Sequence, residues 1–204
     1  MKRVILLVAA VALCVIVVFL RVPTVQFSEN FDNLKPQLSV TSAGAFHTLN
    51  GTNVDIVGGS LFGSLCSAPE SGNCIDMGGT GGNPQGTLQS TNPITLKPGV
   101  KYYLSFDLIG SQRGNTTSTI VTFGPYNQSF TLASGDNKSG IVANALVTVS
   151  APESAYLTFA NNNNTEEGAL LDNVRVSSVR EGGTVLMYLL LAIAVCCVVL
   201  FFIR

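Results

Sequence analysis

Residues 101–134 read KYYLSFDLIGSQRGNTTSTIVTFGPYNQSFTLAS and carry the clearest secondary-structure pattern of the chain. Residues 101–110 alternate and are rich in aromatic and other β-forming side chains, which is typical of a half-buried strand. The runs 118–124 and 128–134 flank the tripeptide PYN at 125–127, and this arrangement predicts a β-hairpin. The stretch therefore predicts antiparallel β-structure.

Similar short runs precede and follow this stretch, separated by Gly, Asn, Ser and Pro. They are NVDIVGG (53–59), CIDMGG (74–79), GTLQSTNPITL (86–96), ALVTVSA (145–151), SAYLTFA (154–160) and LLDNVRVSS (170–178). About nine short strands are thus predicted, and no apolar pattern of helical period lies between the chain ends. This spacing predicts an all-β jelly roll or β-sandwich over residues 22–183, because a parallel α/β fold needs crossover helices.

Two uncharged apolar runs, residues 4–20 and 185–203, lie near the ends of the chain. At about 1.5 Å per residue they reach roughly 25 and 28 Å, close to the bilayer core of about 30 Å. We therefore predict an N-terminal signal-anchor helix over residues 1–21 and a C-terminal transmembrane helix over 184–204. The predicted protein is a β-sandwich ectodomain flanked by two transmembrane helices.

The charge distribution predicts the orientation of this arrangement. Basic residues flank both apolar runs, whereas all twelve acidic residues lie between Glu29 and Glu181. The positive-inside bias places the N-terminus in the cytoplasm and residues 22–183 on the periplasmic or extracellular side of the cell membrane. A cleaved signal peptide is the alternative for the first run, because residues 10–12 (AVA) have the small-x-small form of a cleavage site.

Two of the five cysteines, Cys66 and Cys74, lie within the predicted β domain and are eight residues apart. Outside the cytoplasm such a pair is expected to oxidise. A disulfide that closes so short a loop stabilises the fold by roughly 2–3 kcal/mol. We therefore predict a disulfide between them.

Composition excludes several classes of function. Charged residues make up 11% of the chain, the net charge is −1 and the mean hydropathy is +0.41. This balance argues against a basic nucleic-acid-binding protein and against an ordinary cytosolic enzyme. The one histidine, His47, has no acidic neighbour in the sequence and is predicted to lie at the surface or at a strand edge. No catalytic pair is marked among the candidate carboxylates, which are Asp55, Asp76, Asp107 and Asp172.

Four blocks follow one another in order: NVDIVGG, CIDMGGTGGNPQGTLQS, LKPGVKYYLSFDLIGS and YLTFANN…GALLDNVRV. Over residues 53–177, about 60% of the chain, this order resembles the choice-of-anchor surface domains of bacteria and archaea, relatives of the galactose-binding-like jelly rolls. The resemblance implies a jelly-roll domain at a cell surface. The chain departs from the family pattern in having no Trp, no Pro-Glu-Pro sorting motif and two apolar ends, which favours a permanently inserted subunit.

The resemblance also makes a structural Ca²⁺ a candidate, because related jelly rolls often bind one between the first and last strands; the alternative is that Asp172 and Asn173 cap a turn. Asp32 and Asp172 occupy the corresponding positions, and carboxylate oxygens suit this ion. No other cofactor is expected.

Candidate surface contacts come from aromatic and asparagine residues. Tyr102, Tyr103 and Tyr126 are candidates for glycan binding, since strand alternation directs one of the first two rings outward; packing in the core and sheet is the alternative. In a host that glycosylates exported proteins, the expected N-glycan acceptors are Asn50, Asn115, Asn127, Asn137 and Asn163.

The sequence therefore predicts a non-catalytic accessory subunit that docks to and stabilises a larger membrane protein complex. It would contact membrane lipid and other membrane subunits. Alanines in the apolar runs allow close helix packing. The alternative is a cell-surface module that binds a glycan or matrix. Nucleic acid is not an expected partner.

Overall fold

The structure, a computed structural model, describes residues 23–66, 72–81, 83, 85–138 and 145–180. Residues Val25–Ser178 form one compact unit. The predicted membrane helices, 1–21 and 184–204, lie outside the described residues. Within the described part of the chain, no helix has the length and apolar character needed to cross a bilayer.

The described residues form strands and one short 3₁₀ helix, η1. In chain order the elements are β1 (Thr24–Glu29), β2 (Gln37–Val40), β3 (Ser42–Ala43), β4 (Phe46–Thr48), β5 (Val54–Val57), η1 (Gly63–Cys66), β6 (Cys74–Asp76), β7 (Thr87–Ser90), β8 (Ile94–Leu96), β9 (Val100–Ile109), β10 (Thr117–Phe123), β11 (Tyr126–Leu132), β12 (Asn137–Lys138), β13 (Ala145–Val147), β14 (Glu153–Ala155), β15 (Leu157–Asn161) and β16 (Leu170–Arg180).

Two sheets contain most of these strands. The first sheet has the order β12-β9-β16-β6-β5-β2, with β1 paired to β16 and β13 paired to β9. The second sheet has the order β11-β10-β15-β7-β4-β3, and β8 pairs with β14 separately. The first and last strands are neighbours, since the Gln26 side-chain amide donates a hydrogen bond to Ser178 Oγ at 3.0 Å.

The core lies between the two sheets because alternate residues of each strand face inward. Phe106 on β9 of the first sheet contacts two rings of the second sheet. Its ring centroid lies 5.1 Å from that of Phe159 and 5.7 Å from that of Phe130, in both cases edge to face. The predicted all-β sandwich is thereby confirmed for the described domain.

The predicted hairpin is also present, with a tighter turn than expected. Strands β10 and β11 are antiparallel, and Phe123 lies opposite Tyr126. The turn is therefore the dipeptide Gly124-Pro125, and Tyr126 already belongs to β11. Gly124 has φ +55°, and glycine supplies the positive φ that two-residue hairpin turns require.

The predicted disulfide joins Cys66 at the end of η1 to Cys74 at the start of β6, with Cα atoms 5.7 Å apart. Both half-cystines are buried with Val57, Ile109 and Leu170 in a small apolar cluster separate from the main core. The disulfide therefore packs against apolar side chains of the first sheet that point away from the sandwich interior.

Candidate functional site

The outer face of the second sheet presents a row of polar side chains that crosses all six strands. From β11 to β3 the row consists of Asn127, Thr122, Thr158, Gln89, His47 and Ser42. Each residue lies directly opposite the next, and each is exposed or half-buried. Their inward neighbours, such as Val121, Leu88 and Phe159, are fully buried. Burial of one side of each strand thus fixes the register that aligns the row on the other side.

Shorter rows continue this surface. The next row consists of Ser129, Ile120, Ala160 and Thr87, and beyond it Ser118 lies opposite Thr131. We call the residues of these three rows the polar face. None of them is Asp, Glu, Lys or Arg.

The outward side of the first sheet has a different character. Its described side chains include the charged residues Asp55, Asp76, Lys101, Asp107 and Arg175. The charges of the strand faces are therefore concentrated on one sheet, and the polar face is uncharged.

The structure brings two of the candidate carboxylates together on the first sheet. Asp55 on β5 lies opposite Asp76 on β6, and both are buried. Asp55 accepts hydrogen bonds from the backbone N–H of Ser39 at 2.7 Å and from the N–H and hydroxyl of Thr80. These bonds fix the loop after β6 against β2, so this carboxylate holds backbone in place.

Asp76 joins three loops at one end of the sandwich. Its Oδ1 accepts the N–H groups of Gly78 and Gly168, each at 2.9 Å, and its Oδ2 pairs with the guanidinium of Arg113. Burial raises the pKa of Asp76 from 3.8 to about 6, although the charge of Arg113 and the hydrogen bonds from the two glycines act to lower it. A Cβ on Gly168 would meet the backbone nitrogen of Gly78, so both glycines are needed for this close approach.

Mild acidification is expected to stabilise the folded domain through Asp76. Because its pKa is 3.8 when unfolded and about 6 when folded, the folded state binds this proton more tightly. Its contribution to the free energy of unfolding is gained as the pH falls through about 6 and lost as the pH rises through it. The change is about 1 kcal/mol between about pH 7.5 and about pH 5. Urea denaturation at both pH values should show this gain, and Asp76→Asn should lack it; an equal gain in the variant would contradict the assignment.

The predicted glycan-contacting tyrosines do not lie on the polar face. Tyr102 is 3% exposed, and its phenol accepts the N–H of Lys97 and donates to the carbonyl of Thr95. This ring holds β8 against β9, which corrects the prediction that it contacts a glycan. Tyr103 lies half-buried on β9 of the first sheet, and Tyr126 packs against the core, where burial raises its pKa.

The residues predicted to bind calcium have protein partners. Asp32 accepts the backbone N–H of Asn73 at 3.1 Å and the side-chain amide of Asn30 at 2.8 Å. Asp172 accepts the backbone N–H of Asn173 at 2.7 Å. Among the described residues no group of three or more His, Cys, Asp or Glu side chains is placed to hold a metal ion. The calcium site stays a prediction.

The predicted N-glycan acceptors are scattered over the domain and also stay predictions. Asn50 is exposed in a turn, Asn127 belongs to the polar face, and Asn137 lies in β12. The side-chain amides of Asn115 and Asn163 donate hydrogen bonds within neighbouring loops.

No protein-family model and no curated protein matches the sequence. Among solved structures, the chain is similar to the CBM22-1 xylan-binding domain of Xyn10C from Paenibacillus barcinonensis, at 11% identity and a TM-score of 0.46 over 78% of this chain and 97% of that one. It is also similar to the K1 cleaved adhesin domain of Lys-gingipain from Porphyromonas gingivalis W83, at 13% identity and a TM-score of 0.43 over 74% of this chain and 96% of that one. The chain is similar as well to the K3 cleaved adhesin domain of the same protein, at 13% identity and a TM-score of 0.40 over 76% of this chain and 99% of that one. The feature that this protein has in common with them is an all-β sandwich.

Proposed function

We propose that this protein is a non-catalytic surface module that binds a glycan or matrix ligand through the polar face. The observation that carries the proposal is the unbroken row from Asn127 to Ser42, in which every strand of the second sheet contributes an outward polar side chain. Six strands thereby present hydrogen-bonding groups on one continuous surface.

The chemistry of the row suits sugar hydroxyls. Ser and Thr hydroxyls both donate and accept hydrogen bonds, and the amides of Asn127 and Gln89 provide donors and acceptors side by side. These groups stand on paired strands whose opposite side is packed into the core. Binding groups on such rigid elements are held more precisely than groups on loops.

A location outside the cytoplasm is part of the proposal. The disulfide between Cys66 and Cys74 supports it, because disulfides persist in oxidising compartments. The resemblance to choice-of-anchor surface domains supports the same location. The predicted docking to a membrane protein complex depends on residues 1–21 and 184–204 and stays a separate prediction.

The proposal is tested by screening the full-length protein on a glycan array and measuring the affinity of each hit by calorimetry. The double variant Thr122→Val/Thr158→Val removes two adjacent hydroxyls from the row while it keeps side-chain shape and β-propensity. If each of the two lost hydrogen bonds costs about 1 kcal/mol, affinity should fall about thirtyfold.

Thr95→Val is the matched control, because Thr95 is exposed on β8 and lies outside the polar face. It should leave binding unchanged, and thermal unfolding should show that all variants are folded. Absence of any glycan hit, or a hit that binds the double variant as tightly as the original protein, would refute the proposal.

A further inference from the structure

We infer that the polar face binds an interior segment of an uncharged, extended polysaccharide whose chain runs across the strands. This inference rests on the proposed function and names its ligand class. It follows from three properties of the face: it has no charged side chains, its polar row ends on the two edge strands, and an apolar pair of residues lies beside that row.

The charge of the face selects against acidic glycans. Uronate and sulfate groups are bound most strongly by Arg and Lys through charge-assisted hydrogen bonds. The polar face has neither residue, whereas the outward side of the first sheet carries Lys101 and Arg175. Hydroxyl and amide groups match an uncharged sugar without leaving a charge unpaired.

The direction and length of the row favour a chain over a single sugar. Neighbouring strands lie about 4.8 Å apart, so five steps from Asn127 to Ser42 span roughly 24 Å. The first of these residues lies on β11 and the last on β3, which are the two edge strands of the sheet order. A chain laid along the row can therefore continue past both edges, and recognition does not require a chain end.

An apolar pair of residues lies beside the centre of the row. Ile120 and Ala160 lie opposite each other on β10 and β15, each two residues along its strand from Thr122 or Thr158. Sugar rings combine hydroxyl groups with apolar C–H surfaces. A ring placed over this point would set hydroxyls against the two threonines and C–H groups against the apolar pair.

The contacts are numerous and individually weak. The central side chains are short, and single hydrogen bonds contribute modestly to binding in water. Affinity should therefore accumulate with the number of sugar units that contact the row. Length dependence is the property that separates this mode from capture of a terminal sugar.

The test is calorimetry of the full-length protein with neutral cello-, xylo-, manno- and chito-oligosaccharides, from monosaccharide to hexasaccharide. For the series that binds, affinity should rise at least tenfold from disaccharide to hexasaccharide. Reduction of the terminal sugar should leave the hexasaccharide affinity unchanged, and oligogalacturonates should not bind.

The variant Gln89→Lys places a cation within the row, with Thr95→Lys as the control for added charge outside it. Gln89→Lys should lower the affinity for the neutral oligosaccharide at least fivefold and allow oligogalacturonate to bind. Thr95→Lys should change neither property. Tight monosaccharide binding, sensitivity to the chain end, or a preference for the acidic series would overturn this inference while glycan binding at the polar face still stood. No binding in any series would overturn this inference, and the absence of any hit on the glycan array would overturn the proposed function as well.

Discussion

Replacement of Phe159 by alanine should lower the free energy of unfolding by about 3–5 kcal/mol. This ring is fully buried on β15, at the centre of a chain of aromatic contacts that joins the two sheets. Its centroid lies 5.1 Å from that of Phe106 on the first sheet and 6.0 Å from that of Phe46 on the second. The substitution removes both edge-to-face contacts and leaves a cavity that paired strands cannot close.

Chemical denaturation of the full-length protein measures this loss as a shift of the unfolding midpoint. The matched control is Phe62→Ala, since Phe62 is 53% exposed in the loop before η1. The same chemical change there should alter stability by about 0.5 kcal/mol or less. Equal losses in the two variants would show that Phe159 does not link the sheets.

Loss of the disulfide between Cys66 and Cys74 should lower the free energy of unfolding by about 2–3 kcal/mol. The bond closes a short loop and therefore restricts the unfolded chain. It also holds both sulfur atoms in the apolar cluster with Val57 and Leu170. Stability should fall when a reducing agent is added under otherwise identical conditions.

The double variant Cys66→Ala/Cys74→Ala is the control for this second prediction. It should be less stable than the oxidised protein, and the reducing agent should not change its stability further. If reduction weakened the variant as much as the original protein, the effect would have to come from another part of the chain.

Local pattern was enough to predict most of the strands, but it missed β1 to β4 and β12. The alternation in residues 101–110 corresponds to β9, Val100–Ile109, because a long strand repeats its pattern several times. Strands β3 and β4 contain two and three residues, Ser42–Ala43 and Phe46–Thr48. A segment of that length has no recognisable period. Strand β4 pairs with β7, about 40 residues later in the chain, and β3 in turn pairs with β4.

The candidate site was harder to predict because it depends on register between distant strands. Thr122, Thr158 and Gln89 become neighbours only when β10, β15 and β7 pair in one alignment. In the sequence each is an ordinary polar residue of an alternating strand. Alternation also indicated that one ring of Tyr102 and Tyr103 faces inward, without indicating which one.

Pairing also explains how two of the candidate carboxylates come together. Asp55 and Asp76 come from separate predicted strands and lie side by side only in the folded sheet. Their oxygens are occupied by loop N–H groups and by Arg113. As carboxylates, the two residues were candidates for acid–base catalysis in the sequence. Their hydrogen-bond partners show that they hold loops in place.

The contact between Gln26 and Ser178 has a consequence for engineering this fold. Because the two ends of the sandwich meet, a short peptide can bridge them and the chain can be opened at a distant turn to give a circular permutant. The same adjacency makes the domain a suitable guest for insertion into a loop of a host protein, since entry and exit occupy one small area. A domain inserted in this way would expose its polar face and would be joined to the host at both ends.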